Sequence, residues 1–232
     1  MSGLAALLRR FQRPKLDSVR LSGEGIGAYQ EFWDESARTD ALNAVALGVK
    51  DFWQSGQNEV EMLKKYLPAD AAVLEVGCGV GRIMLHLAPL CKELHGVDIS
   101  SEMLQKAESA LGGLPNVHLH SGNGYDLPFG PETFDLTYSC RVFQHMPKNV
   151  VLYSLREVYR VLRPGRQFVL QVPNLLLDEH MLAFTHFAQP VFFRKPYPMY
   201  FYTPDEIDRL GTFVGFRVAI VDDWLLAILS KP

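Results

Sequence analysis

Three glycines in five residues, Gly77, Gly79 and Gly81, directly follow the apolar run AAVLEV. Glycine is used where a side chain would block a close approach, and parallel α/β sheets bind ligands at the carboxyl ends of their strands. Asp98 ends the next apolar run, 21 residues after Gly77. A carboxylate in this place can accept hydrogen bonds from ribose hydroxyls. The spacing therefore predicts a site for a nucleoside-containing cofactor.

The glycine spacing separates two classes of cofactor. A dinucleotide-binding turn has the pattern Gly-x-Gly-x-x-Gly, but Arg82 stands where its third glycine is expected. Glu75 precedes Gly77 by two residues and gives the longer pattern Glu-x-Gly-x-Gly-x-Gly. The sequence also has no Tyr-x-x-x-Lys pair for hydride transfer. A nicotinamide-dependent oxidoreductase is therefore the weaker alternative.

Short apolar runs alternate with helical patterns, which predicts a parallel sheet wrapped by helices. The predicted strands are AAVLEVG, ELHGVDI, NVHLHSG, FDLTYSC and RQFVLQVPN, and the helices between them are RIMLHLAPL, SEMLQKAESAL and VVLYSLREVYRVL. Near the C-terminus, Thr203 and Pro204 are typical of the start of a helix. The last segment, FRVAIVDDWLLAILSK, predicts two strands around Asp222–Asp223.

The composition suits one α/β domain or one domain with a small attachment. The 232 residues are 48% hydrophobic and carry a net charge of −3, which does not favour a nucleic-acid partner. No apolar run is long enough to cross a membrane, and no signal peptide is recognised. Three scattered cysteines are too few for a disulfide framework or a zinc cluster, so we expect no metal site and a reducing compartment, the cytoplasm.

Over residues 70–173 the chain resembles the class I S-adenosylmethionine-dependent methyltransferases, in their small-molecule branch. LEVGCGVGR is similar to the first motif of that family, GVDIS to the second, and GNGYDLPFGPETFDLTYS to the third and fourth. REVYRVLRPGRQFVL is similar to the helix, turn and strand that follow. The resemblance implies an α/β fold with a Rossmann-like, seven-stranded, mostly parallel sheet, helices on both faces and an antiparallel last strand. It implies S-adenosyl-L-methionine as the cofactor.

The resemblance also implies roles for single residues. Asp98 would bind the ribose hydroxyls, while Ile99 and Met103 would pack on the adenine. At Asn123 the family more often has an aspartate, but the asparagine carbonyl can still accept from the adenine amino group. Gly124 would let its N–H approach the ring. The cofactor-binding set implied in the core is Glu75, Gly77, Cys78, Gly79, Gly81, Asp98, Ile99, Met103, Asn123, Gly124 and Ser139.

The segment YSCRVFQHMP, which contains the end of the fourth strand, should lie beside the methionine end of the cofactor. It lacks the Asn/Asp-Pro-Pro-aromatic motif of relatives that methylate base or amide nitrogens. Similar small-molecule enzymes often have two adjacent histidines there, and this chain has Gln144 and His145. We take His145 as the candidate general base, because imidazole accepts protons near neutral pH. The alternative is that His145 orders the start of the next helix.

Two flanking segments are candidates for covering the site. Residues 1–67 are predicted to be a tail and a helical segment that covers the cofactor, and residues 68–232 to be the methyltransferase core. Within the first segment, Tyr29 and Trp33 can close the site, and Arg38 can pair with the methionine carboxylate. The alternative is an aromatic helix face that packs on the sheet.

The second flanking segment is an insertion at residues 174–202, rich in aromatics and prolines. Long insertions at this end of a sheet are usually functional, so we predict an acceptor pocket and lid, with a dimer surface or a membrane-facing patch as alternatives. His180 and His186 are alternative bases. The lid aromatics are Phe187, Phe192, Phe193, Tyr197, Tyr200 and Tyr202.

Together these patterns predict a cytoplasmic methyltransferase that uses S-adenosylmethionine and acts on a small, flat or apolar acceptor. O-methylation is slightly favoured over N- or C-methylation, because candidate bases are present and the amide-nitrogen motif is absent. A non-catalytic scaffold that only binds the cofactor is the second alternative. The aromatic insertion speaks against it, since a scaffold has no evident need for such a segment.

Overall fold

The computed structural model describes residues 24–45, 51–187 and 199–232. The predicted N-terminal tail and the lid aromatics Phe192, Phe193 and Tyr197 lie outside the described residues. The side chains of His186 and Phe187 also lie outside them, although the backbone of both residues belongs to a described helix.

Seven strands form one sheet in the order β3-β2-β1-β4-β5-β7-β6. The strands are β1 (Ala72–Val76), β2 (Glu93–Asp98), β3 (Val117–Ser121), β4 (Phe134–Cys140), β5 (Leu162–Gln171), β6 (Arg217–Ile220) and β7 (Leu226–Ser230). The first five strands are parallel, and β7 pairs antiparallel with both β5 and β6. The prediction of a mostly parallel, Rossmann-like sheet with an antiparallel last strand is confirmed.

Helices lie on both faces of this sheet, as predicted. They are α1 (Glu24–Val45), α2 (Phe52–Leu63), α3 (Met84–Leu87), α4 (Ser101–Leu111), α5 (Lys148–Val161), α6 (Asp178–Phe187) and α7 (Pro204–Val214). Buried side chains of α5 and α7 share one apolar core with the sheet, and those of α2, α3 and α4 share another. Strand β1 contributes to both cores, Leu74 to the first and Val73 to the second. A strand that is covered on both faces has a nearly continuous apolar sequence, as β1 does.

Local signals explain where several helices begin and end. Thr203 and Glu206 form a reciprocal capping box at the start of α7, with Pro204 in its first turn. The predicted helix RIMLHLAPL is shorter than expected: α3 ends at Leu87 and a 3₁₀ turn, Ala88–Leu90, follows. Pro89 lacks the N–H that a longer α-helix would need, which accounts for the difference.

Three histidines cluster on one face of the neighbouring strands β2 and β3. His95 Nδ1 lies 3.0 Å from His120 Nε2, and the rings of His95 and His118 are 4.8 Å apart. The edge-on ring of Phe129 covers both His95 and His120. Burial lowers the pKa of His95 and of His120, and the neighbouring imidazoles lower the pKa of each further. Glu93, 3.7 Å from His95, acts in the opposite direction on His95.

This cluster predicts that the protein loses stability in mild acid. The folded-state pKa of His95 and His120 lies below the unfolded value of about 6.5, so the unfolded chain binds more protons as the pH falls below that value. Above about pH 6.5 the two neutral histidines contribute fully to the free energy of unfolding. That contribution is lost as the pH falls through their lower folded-state pKa values. Urea unfolding at about pH 7.5 and about pH 5 should show this loss, and His120→Asn should reduce it. An equal loss in wild type and variant would contradict the assignment.

Candidate active site

A cavity of about 1200 Å³, its open mouth included, lies at the carboxyl ends of β1, β2 and β4. Strand β1 sits between β2 and β4: the chain runs from β1 through β2 to β3 on one side and then returns to β4 on the other side of β1. Such a reversal opens a crevice that binds ligands in α/β sheets. Nine of the residues singled out in the sequence line this cavity: Tyr29, Trp33, Gly77, Gly79, Asp98, Ile99, Met103, Gly124 and His145.

The three glycines of the turn after β1 are required for different reasons. Gly77, Gly79 and Gly81 all have positive φ, at 80°, 53° and 83°. A Cβ atom on Gly77 would lie 2.4 Å from the side chain of Val142, and one on Gly81 would lie 2.4 Å from Leu111. Gly77 and Gly79 line the cavity, whereas Gly81 lets the turn pack against α4 and is not part of the lining. The turn therefore needs glycine for its own packing as well as for open space.

Asp98, at the end of β2, holds this turn in place. Its carboxylate accepts hydrogen bonds from the backbone N–H of Gly79, at 2.8 Å, and of Ser100, at 2.9 Å. Burial raises the pKa of Asp98, while these backbone donors lower it. Carboxylate oxygens have about four lone-pair positions, so the two hydrogen bonds leave acceptor capacity that faces the cavity.

The loop after β3 forms the end of the cavity beside Ile99 and Met103. Gly124, at φ 85°, lines this end, but Asn123 does not. Asn123 Oδ1 accepts from the N–H groups of Tyr125 and Asp126, and Nδ2 donates to the Asp126 carboxylate. Tyr125 and Asp126 line the cavity instead. Both residues directly follow Gly124, and this position is the signal in the sequence that could have identified them.

Three other members of the predicted set lie behind the cavity wall. Glu75 is 4% exposed and accepts a 2.7 Å hydrogen bond from Tyr138. Burial raises the pKa of Glu75 to about 8. Ser139 donates to the Val76 carbonyl at 2.8 Å, and the Cys78 side chain is buried. These side chains support the wall, and none of them belongs to the cavity lining.

Helix α1 roofs the cavity through Tyr29 and Trp33. Asp34 ties this helix to the start of α4: its carboxylate accepts from Ser100 Oγ at 2.6 Å and from the N–H of Glu102 at 3.3 Å. Arg38 lies outside the cavity lining, and its exposed guanidinium pairs with Glu35 and Glu102. The structure therefore does not place Arg38 where the sequence reasoning expected it.

His145 lies in a 3₁₀ turn, Phe143–His145, which follows β4. It is 9% exposed, lines the cavity, and packs edge-on against Trp33 with 5.1 Å between ring centroids. Gln144 Nε2 lies 3.2 Å from His145 Nε2. His145 thus places its imidazole in the cavity wall, with Nε2 in contact with the neighbouring Gln144 amide.

The C-terminal insertion reaches the same end of the cavity. The N–H of Tyr200 donates to the Gln144 carbonyl at 2.7 Å, and the hydroxyl of Tyr200 contacts that of Tyr29. Burial raises the pKa of Tyr29, and Tyr200 raises it further. His180, the alternative base, lies elsewhere: its Nδ1 contacts the backbone of Asn174, and its ring packs against Trp224. His180 is not part of the cavity lining.

The sequence reasoning missed Arg141, which follows β4 and lines the cavity. Arg141 has a positive φ of 62°, and among the described residues its buried Nε has no hydrogen-bond partner. This atom has almost no accessible surface and so does not face the cavity, while the guanidinium donates to Glu59 at 2.9 Å. The Asp98 acceptors and the apolar lining near Ile99 match a ribose and an adenine. The residues present therefore fit S-adenosylmethionine.

Within the described ranges, no group of three or more His, Cys, Asp or Glu side chains is arranged to hold a metal ion. In the same part of the chain, no helix combines the length and the apolar character needed to cross a bilayer.

Comparison with known proteins identifies the family. A family model described as a methyltransferase domain matches residues 73–165. The ubiquinone/menaquinone biosynthesis C-methyltransferase UbiE of Geotalea daltonii is 32% identical over 82% of this chain and 85% of its own length. O-methyltransferase cnsE of Penicillium expansum is 31% identical over 65% of this chain and 54% of its own. The crystal structure of the PH0226 protein from Pyrococcus horikoshii superposes with a TM-score of 0.70 at 20% identity, covering 85% of this chain and 99% of that one.

The matches differ in how much of each relative they cover. The chain spans about half the length of several curated relatives, between 40% and 57% for four of them. The Geotalea daltonii protein, in contrast, matches along most of both chains. With this relative and the fold in agreement, the chain belongs to the class I S-adenosylmethionine-dependent methyltransferases, and its cofactor is S-adenosylmethionine.

Proposed function

We propose that this protein transfers a methyl group from S-adenosylmethionine to a hydroxyl oxygen of a small, flat acceptor. The observation that carries the proposal is His145, whose imidazole lines the cavity together with Tyr29 and Trp33. Removal of the hydroxyl proton makes the oxygen a much better nucleophile. The O-methyltransferase of Penicillium expansum among the relatives supports the same chemistry.

The cofactor-binding roles divide along the cavity. When bound, S-adenosylmethionine supplies a methyl group that its sulfonium already activates. Asp98 would hold the ribose, Ile99 and Met103 would cover the adenine, and Gly77 and Gly79 would leave room beside the turn. Asn123 would act by ordering the loop whose Gly124 approaches the adenine. Glu75, Cys78, Gly81 and Ser139 would act from behind the wall.

The acceptor would lie between helix α1 and the 3₁₀ turn after β4. Tyr29, Trp33 and Met146 give this end flat and apolar walls, which suit an aromatic acceptor and exclude water. Tyr200, which contacts Tyr29, belongs to the described part of the insertion. We therefore keep residues 174–202 as the proposed lid, and residues 1–67 and 68–232 as the proposed covering segment and core.

C-methylation is the second candidate, because the Geotalea daltonii relative carries that name and matches most of this chain. An aromatic hydroxyl that loses its proton also gains electron density at its ring carbons, so His145 would serve both reactions. Incubation with methyl-labelled cofactor and a panel of small phenols, followed by mass spectrometry, tests the proposal. A methyl ether supports O-methylation and a ring-methylated phenol supports C-methylation. No labelled product from any phenol in the panel would contradict an acceptor of this class.

We also propose a cytoplasmic setting without a nucleic-acid partner. The three cysteines are free thiols, with Cys78 and Cys140 buried, which suits a reducing compartment. The net charge of −3 gives no general attraction to nucleic acid.

His145→Gln should slow turnover by roughly 10²–10⁴-fold, because it removes the proton acceptor. Affinity for S-adenosylhomocysteine, measured by calorimetry, should stay as in wild type. His118→Gln is the matched control, because His118 is an exposed residue of β3 outside the cavity lining, and this variant should turn over normally. If His180→Gln slows turnover and His145→Gln does not, the assignment of the base is wrong.

Asp98→Asn should weaken S-adenosylhomocysteine binding by about 1.5–3 kcal/mol, because a charged acceptor of the ribose hydrogen bonds becomes neutral. Asn can still accept one of the two backbone hydrogen bonds that Asp98 now accepts. Titration calorimetry measures the change, and Asp205→Asn, an exposed acid in the first turn of α7, is the control. Unchanged affinity in Asp98→Asn would remove Asp98 from the ribose site.

A further inference from the structure

Tyr200 of the insertion contacts both sides of the end of the cavity that contains His145. Its backbone N–H donates to the Gln144 carbonyl at 2.7 Å, in the 3₁₀ turn that carries His145. Its hydroxyl hydrogen-bonds to the hydroxyl of Tyr29, which lies on α1 and lines the cavity. One residue therefore joins the roof helix to the turn after β4, two elements that lie far apart in the sequence.

The insertion is firmly attached on the side of the turn. Tyr202 is fully buried, and its hydroxyl donates to the Phe143 carbonyl at 3.3 Å. The N–H of Tyr202 donates to the Pro173 carbonyl at 3.0 Å. With the hydrogen bond from Tyr200 to Gln144, these contacts fix this end of the insertion along the 3₁₀ turn. The Tyr200 side chain thus projects from a backbone that is held in place.

The roof helix, in contrast, is held unevenly along its length. Ala37, in the second half of α1, is buried in an apolar cluster with Met103 of α4. The first turn contains Gly25 and Gly27, and glycine ranks just above proline as a helix former. A Cβ atom on Gly27 would meet no atom within 4 Å, so packing does not require glycine there. The beginning of α1 is therefore a weak helix that depends on contacts from outside it.

Tyr29 and Trp33 stand one helical turn apart, on the same side of this weak end. Trp33 packs edge-on against His145, with 5.1 Å between ring centroids, and both aromatic side chains line the cavity. A hydrogen bond between neutral groups makes a modest net contribution to stability. Such a contribution is large enough to shift the opening equilibrium of a helix end that is only marginally stable. The hydroxyl contact with Tyr200 therefore decides how firmly this end of the roof is closed.

We propose that Tyr200 is a positioning residue of the cofactor site: through Tyr29 it holds the roof helix against the His145 turn and so slows the release of the cofactor product. S-adenosylhomocysteine remains after methyl transfer and must leave before the next cofactor enters. When the hydrogen bond between Tyr29 and Tyr200 opens, Tyr29 and Trp33 move away and the product loses part of its cover. This role requires only that the cavity binds the cofactor, and it does not depend on the acceptor or on the base.

Tyr200→Phe removes the hydroxyl and keeps both the ring and the backbone hydrogen bond to Gln144. Surface plasmon resonance with S-adenosylhomocysteine on the immobilised protein gives the association and dissociation rate constants separately. Tyr200→Phe should raise the dissociation rate constant by about 2–10-fold, the range for losing one neutral hydrogen bond, and leave the association rate constant nearly unchanged. Tyr29→Phe should have the same effect, because it removes the other half of the same bond. Titration calorimetry should show the matching loss of affinity.

The double variant distinguishes one shared bond from two separate effects. Tyr29→Phe with Tyr200→Phe should release S-adenosylhomocysteine no faster than either single variant, because the same hydrogen bond is lost in all three. Tyr159→Phe is the matched control and should release it like wild type. The ring of Tyr159 packs against Phe216 and Lys231, outside the cavity lining. Thermal melts of all variants should lie close to that of wild type, since the roof end opens without the core.

Three results would overturn the proposal. The first is an unchanged dissociation rate constant in both single variants. The second is a double variant in which the two single effects multiply, because the hydroxyls would then act separately. The third is a Tyr200→Phe protein whose melting temperature falls together with its affinity, which would indicate a general structural defect instead of a positioning role.

Failure of the proposed function gives a different result. If the coupled effect on release is found but no phenol is methylated, the role of Tyr200 holds and the acceptor proposal fails. If phenols are methylated and release is unchanged in Tyr200→Phe and Tyr29→Phe, the role of Tyr200 alone is wrong. A wild-type protein that does not bind S-adenosylhomocysteine would contradict both.

Discussion

One carboxylate connects the parts from which the site is built. Asp98 accepts hydrogen bonds from the glycine turn after β1 and from the N-terminal end of α4, so two connections that leave different strands are joined at one point. Ser100, two residues later, caps α4 and also donates to Asp34 of the roof helix. The glycine turn, α4 and the roof therefore share a chain of hydrogen bonds that starts at the end of β2. A substitution at Asp98 should therefore perturb the glycine turn, α4 and the roof helix.

A second polar link fastens the other side of the cavity. Glu59 on α2 pairs with Arg82 just after the glycine turn and with Arg141 just after β4. Gly56, one turn earlier on α2, leaves so little space that a Cβ atom would lie 2.2 Å from the Arg82 carbonyl oxygen. The segment before the core is thus joined to the same strand ends as the cofactor site. This arrangement explains how residues far apart in sequence form one cavity.

Much of this could be predicted from the sequence, because the signals are local. The apolar runs, the capping residues Thr203 and Pro204 and the glycines at 77 and 79 each determine a short piece of structure by themselves. The structure differs from these expectations where long-range contacts determine the position of a side chain. The sequence suggests Asn123 as a ligand-binding residue, but its Oδ1 accepts hydrogen bonds from the backbone of its own loop. Arg38 and Arg141 are both arginines near candidate segments, and only the packing of α1 and α2 separates an exposed ion pair from a cavity wall.

The cofactor assignment requires that this cavity holds an adenosyl group with an amino acid attached. Titration calorimetry of the wild-type protein with S-adenosylmethionine, S-adenosylhomocysteine and NAD tests that claim most directly. Binding of both sulfur compounds at roughly micromolar concentrations, with no heat from NAD, is the result the structure predicts. Binding of NAD alone, or of none of the three, would contradict it.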